Sequence, residues 1–209
     1  MGLISNGTTI FDAGALDSGL AKGAMTFIKK LTADGSATTL SFVGGAGGVV
    51  LDNTYKEYMF IITNYHPSTD SADLRMEGSV DGGSNYGVTA TTTSFRAAHD
   101  EGGTGQDLTY RTATDQAQAT TGIYIMPGTA TGNGNDENTC VIINLFDPSS
   151  TTFVKHFMAR STGYTDDNRN LQGHQAGYFN TTSAVNAIRF TSTSGNIDLG
   201  TVTLYGIGG

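Results

Sequence analysis

Apolar and polar residues alternate with a period of two through most of this chain, and that alternation predicts half-buried strands. Over residues 25–31 it sets Met25, Phe27, Lys29 and Leu31 on one face, and over 38–43 it sets Leu40 and Phe42 against Thr39 and Ser41. Asp34-Gly35-Ser36 between them is a turn signal, so a first hairpin is expected there. Residues 57–64 are apolar enough to read as a central strand buried on both faces, and 139–146 form a second thoroughly apolar strand. Further strands are expected over 72–80, 89–96, 122–126, 153–161 and 176–179. Asp81-Gly82-Gly83-Ser84-Asn85 is a strong turn. The polar stretches 99–119, 129–138 and 162–174 read as projecting loops. Residues 187–192 and 200–205 read as a closing hairpin turned by Ser194-Gly195-Asn196, with Ile188, Phe190, Val202 and Leu204 facing the core. About ten short strands at this spacing predict an all-β fold, an antiparallel β-sandwich.

Residues 1–24 break the pattern. They hold glycines and scattered apolar residues without a period, so they read as an irregular N-terminal arm preceding a sandwich domain at 25–209. Ile10 and Phe11 are its expected anchors for docking or oligomer contacts. Composition agrees with strands: 29 glycines and much Ser, Thr and Asn stand against only 14% charged residues, too few for exposed helix faces. The net charge of −8, with the eleven Lys and Arg scattered, argues against a nucleic-acid partner. No run reaches the roughly 20 apolar residues of a membrane span, and no signal peptide is visible. The chain is therefore expected to be made in a cytoplasm, without membrane insertion.

Catalytic and metal signatures are weak. The single Cys140 lies in an apolar strand and reads as a buried structural thiol. His66, His99, His156 and His174 have no metal-like spacing. Gly132-Asn133-Gly134-Asn135-Asp136-Glu137-Asn138 is oxygen-rich but lacks the EF-hand order, and a solvated loop is the simpler reading. No nucleophile elbow, P-loop lysine or Trp sugar platform is present. No cofactor or metal is expected, and no catalytic residue is assigned. Tyr110, Tyr164 and Tyr178, at or near loop ends, either offer binding area or cap the edge of the core.

Three stretches together resemble jelly-roll proteins on the surface of tailed bacteriophage particles, of the tail-fibre, receptor-binding or capsid-decoration type. They are Asn186-Ala187-Ile188-Arg189-Phe190 with Gly200-Thr201-Val202-Thr203-Leu204-Tyr205, the run Asp52-Asn53-Thr54-Tyr55-Lys56-Glu57-Tyr58, and Ser79-Val80-Asp81-Gly82-Gly83-Ser84-Asn85-Tyr86. The resemblance implies a non-enzymatic virion protein displayed as a symmetric oligomer, a homotrimer. Its arm would dock on other virion proteins, and a host surface glycan or receptor would be the partner. Capsid decoration is the alternative role; a carbohydrate-binding module or a polysaccharide-degrading enzyme is the alternative of a different class.

Overall fold

The computed structural model describes residues 3–12, 15–16, 24–128 and 130–208. Three short strands, β1 (Leu3–Ser5), β2 (Thr8–Asp12) and β3 (Ala15–Leu16), form a small sheet of their own. The main body follows as β4 (Met25–Thr32), β5 (Thr39–Val43), β6 (Glu57–Pro67), β7 (Leu74–Ser79), β8 (Ala90–Asp100), β9 (Gln106–Tyr110) and β10 (Gln116–Ala119). It continues with β11 (Ile123–Tyr124), β12 (Thr139–Phe146), β13 (Lys155–Tyr164), β14 (Arg169–Phe179), β15 (Ala187–Ser192) and β16 (Ile197–Ile207). A nine-stranded sheet runs β10-β8-β14-β13-β12-β6-β16-β4, with β9 also on β8, and a four-stranded sheet runs β11-β7-β15-β5. All of the pairings are antiparallel, as expected of a β-sandwich.

The pairing is nested. β4 pairs with β16, β5 with β15, β6 with β12 and β7 with β11, so the first strand of the body meets the last and the pairs close inward in order, with β13 and β14 left outside the nest. Lateral pairing of β16 with β6 and of β15 with β7 joins these ribbons into the two layers. Both hairpins expected from sequence neighbours are therefore corrected. β4 and β5 lie in different sheets, and so do β15 and β16; the latter do not form a closing hairpin. Their side-chain facing holds nonetheless: Ile188, Phe190, Val202 and Leu204 are all buried.

The N-terminal segment is corrected as well, because Leu3–Ser5 and Thr8–Asp12 form a hairpin rather than an irregular arm. Asn6 (φ 48°) and Gly7 (φ 78°) supply the left-handed turn positions, so an Asn-Gly signal stood in the sequence unread. Ile10 is half-buried on β2, whose residue Phe11 is registered with Leu3 and Leu16. Residues 1–2, 13–14 and 17–23 of the expected arm lie outside the described residues.

The core fills the space between the layers. Phe60 of β6 meets Phe42 of β5 and Phe190 of β15 edge-on, with ring centroids 5.4 Å apart in both contacts, tying the large sheet to the small one. A bulge opposite Leu204 and Tyr205 breaks the alternation in β4, so Met25 and Phe27 stay exposed while Ile28 and Leu31 pack on the core. Asp81 closes the turn after β7 by accepting from Ser79 Oγ, Asn85 N and Asn85 Nδ2, and these bonds hold its carboxyl down at about 2. Lys155 is fully buried; its Nζ donates to the carbonyls of Phe153 (2.7 Å) and Thr181 (3.0 Å), and burial pulls its pKa down.

A second bulge shifts β16 against β6 at Gly200, whose φ is 121°. A Cβ there would sit 2.7 Å from the Asn64 carbonyl oxygen, which is backbone and cannot swing away. Gly200→Ala is expected to cost about 2 kcal/mol through strain and this clash. Urea unfolding checks it, and an unchanged midpoint would show that the bulge relaxes freely.

Candidate binding face

One face of the nine-stranded sheet covers the core and the other is open. Strand register assembles the open face into transverse rows. One row carries Tyr110 beside Phe95, then His174, Arg160, Ile142 and Ile61, crossing β9, β8, β14, β13, β12 and β6. The next runs from Thr93 and Ala176 through Met158 and Asn144 to Met59, Tyr205 and Phe27. Phe95 (43% exposed) and Met158 (55%) are apolar side chains left in water. Phe95 stacks flat on His174, with centroids 4.9 Å apart and planes 7° from parallel.

Three shallow depressions adjoin along this face, of about 470, 430 and 430 Å³. Ile142 and Arg160 line both the first and the second; Thr93, Met158 and Ala176 line both the second and the third. The polar lining of the first includes Thr63, Thr162, Asn170 and Gln172 beside Arg160. Arg160 is exposed, and among the described residues no hydrogen bond or ion pair engages its guanidinium. Asn144 Nδ2 instead donates to Glu57 Oε1 at 2.6 Å, which occupies that carboxylate at the rim.

The three sequence-selected tyrosines all fall on this same face, Tyr110 and Tyr164 on strands rather than in loops and Tyr178 within the strand expected over 176–179. The segments read as loops at 99–119 and 162–174 contain β9 and β10 and the near ends of β13 and β14. Tyr110 on β9 donates its hydroxyl to Asp115 Oδ2 at 2.7 Å, and that acceptor raises its pKa. Tyr164, at the end of β13, donates to Asn168 Oδ1 (2.9 Å) and to Glu101 Oε2 (3.3 Å). Tyr178 on β14 packs edge-on against His156 at 5.8 Å and lines the third depression. Tyr110 and Tyr164 thus mark margins of the face; only Tyr178 borders a depression.

Phe95, His174, Arg160 and Ile142 form the middle of the face and escaped the sequence reading as a group. The available signal was the second apolar phase of the strands around Ile61 and Ile142, which means apolar side chains on both sides of the sheet. Cys140 is corrected here: it is half-buried on the open face, lines the first depression and lies 3.4 Å from the Asn64 nitrogen. Glu137 in the oxygen-rich loop turns back on Gly134 N, and among the described residues no group of three His, Cys, Asp or Glu side chains is placed to hold a metal ion. His66 bridges that loop to β16, with Nε2 3.0 Å from the Gly134 carbonyl and Nδ1 3.4 Å from Asp198 Oδ2. Among the described residues no helix is long and apolar enough to cross a membrane.

The chain matches no protein-family model, no curated protein and no solved structure.

Proposed function

We propose that this chain is a non-enzymatic attachment protein displayed on a tailed-phage particle, and that the open face of its nine-stranded sheet is the recognition surface. The observation that carries the recognition role is the run of three adjoining depressions on that face, bordered by exposed Phe95, Ile142 and Met158. Folding does not require apolar groups there, since the opposite face already closes the core. The phage setting rests on the sequence stretches 52–58, 79–86 and 186–205 and on a jelly-roll reading of the sandwich. Nested pairing of β4 with β16, β5 with β15, β6 with β12 and β7 with β11, split into two four-stranded halves, supports that reading. Strands β8–β10 and β13–β14 then widen one layer, and this widening produces most of the open face.

In this reading the chain is displayed as a homotrimer, with its N-terminal segment against other virion proteins. Capsid decoration is the second reading, favoured by the β1–β3 sheet, which presents Leu3 and Ile4 at 63% exposure each. Adsorption separates the two. The labelled chain should be retained on intact bacterial cells and should compete with the particle that carries it. Retention on emptied phage heads but not on cells would overturn attachment in favour of decoration. Release of new reducing ends from a bacterial surface polysaccharide would overturn the non-enzymatic assignment and favour a polysaccharide-degrading enzyme.

A further inference from the structure

The charge on the open face runs against the charge of the chain. Nineteen Asp and Glu outnumber eleven Lys and Arg, yet no carboxylate lines any of the three depressions. Their ionisable lining is instead Arg160, His174 and His156, with the Cys140 thiol and Tyr178 hydroxyl. Carboxylates collect at the margins: Glu101 by Tyr164, Asp115 by Tyr110, and Glu57 held by Asn144. Arg160 stands where the first two depressions meet, exposed and without a protein partner among the described residues. A guanidinium so placed offers a planar fork that matches a carboxylate.

We propose that this face binds an acidic saccharide, a chain of sugars bearing carboxylates such as hexuronates or sialates, with one carboxylate on Arg160. The inference rests on the attachment reading and names the ligand class of its recognition surface. Beside Arg160, the stacked Phe95–His174 pair and Met158 form an apolar wall for the C–H faces of a sugar ring. Thr162, Asn170 and Gln172 supply hydroxyl and amide groups on the other side. This mix of apolar wall, few polar groups and one charge is the usual lining of a small-molecule or saccharide site. An extended peptide would add to a strand edge, whereas the backbone groups beneath this face are already paired across the sheet.

The test is calorimetric titration of the full chain with oligogalacturonate and oligosialate, set against the same oligosaccharides with their carboxylates reduced to alcohols and against poly-glutamate. At least one acidic oligosaccharide should bind, and its reduced counterpart should bind at least tenfold more weakly. Arg160→Gln should lower affinity at least tenfold, Arg160→Lys less, and Phe95→Ala severalfold. Phe153→Ser, at an exposed site whose residue lines none of these depressions, should change nothing. Thermal midpoints equal to that of the unaltered chain show that the variants fold. Equal binding of acidic and reduced sugars would overturn the proposal, as would unchanged affinity in Arg160→Gln or poly-glutamate binding through the same arginine. Retention on bacterial cells with no binding of either acidic probe would overturn the ligand class while leaving attachment standing.

Discussion

Replacing Phe60 by Ala should lower stability by about 4 kcal/mol, the largest loss expected from a single substitution discussed for this chain. Phe60 is fully buried on β6, and its ring contacts Phe42 on β5 and Phe190 on β15, two strands that pair with each other in the opposite sheet. Truncation removes transfer energy and opens a cavity between the two layers. It also deletes two edge-on aromatic contacts, each worth about 1 kcal/mol beyond the area buried. The backbone around it is held by ladders on both sides, from β12 and β16, so the site cannot collapse easily. Phe60→Leu retains most of the volume and should lose less than half as much. Chemical unfolding monitored by near-ultraviolet circular dichroism reads both changes. A loss below about 1 kcal/mol for Phe60→Ala would show that the layers are not locked through this residue.

Asp73→Asn should do the opposite and stabilise the chain at neutral pH by about 2 kcal/mol. Asp73 lies just before β7, where burial pushes its carboxyl from 3.8 up to about 6; Arg75 opposes the shift and Asp166 adds to it. Because the folded pKa is raised, the unfolded chain loses the proton first as pH rises. Stability is therefore greatest, as far as Asp73 is concerned, below about pH 4; it declines through about pH 6 and is level above that. The full shift would correspond to about 3 kcal/mol, and partial exposure of the residue reduces it. Asn keeps the backbone ties, in which Asp73 N donates to Thr193 Oγ1 (2.8 Å) and Thr193 N donates to the Asp73 carbonyl (2.9 Å). Urea midpoints measured at intervals from pH 4 to pH 8 should show the decline in the parent flattened in the variant. Parallel curves would assign the decline to other groups.

The open face was only partly legible in the sequence, and the reason lies in what its strands turn inward. In β8 and β14 the buried positions include Thr92, Ser94, Arg96 and Gln175, so the alternation of apolar with polar residues is weak and marks only 89–96 and 176–179 of these long strands. These groups find partners in chain that folds beneath them. Ser94 Oγ lies 2.8 Å from Thr114 Oγ1, Gln175 Nε2 donates to the Thr114 carbonyl at 3.1 Å, and Arg96 pairs with Asp107 at 3.1 Å. A polar interior of this kind looks like a loop when only hydropathy is considered. It hid β9, β10 and the near ends of β13 and β14, and with them the strand positions of Tyr110 and Tyr164. Phe95, His174 and Arg160 come from three different strands, so no local window could have joined them.

The sequence by itself determined the secondary structure class, most strand positions and the inward set of side chains. Residues 139–146 and 187–192 match their strands to the residue, and Ile188, Phe190, Val202 and Leu204 are buried as the alternation demands. These properties are local, since a period of two decides which side of a pleat a residue occupies whatever its neighbour is. Only the tertiary structure decided which strand lies beside which. The two final strands look like one hairpin along the chain, yet each belongs to a different sheet, because the nested ribbon lets β4 pair with β16 and β5 with β15. That choice depends on filling the space between layers with rings such as Phe42, Phe60 and Phe190, a cooperative requirement that no single segment encodes. The same choice gathers Arg160, Phe95 and His174 into one row.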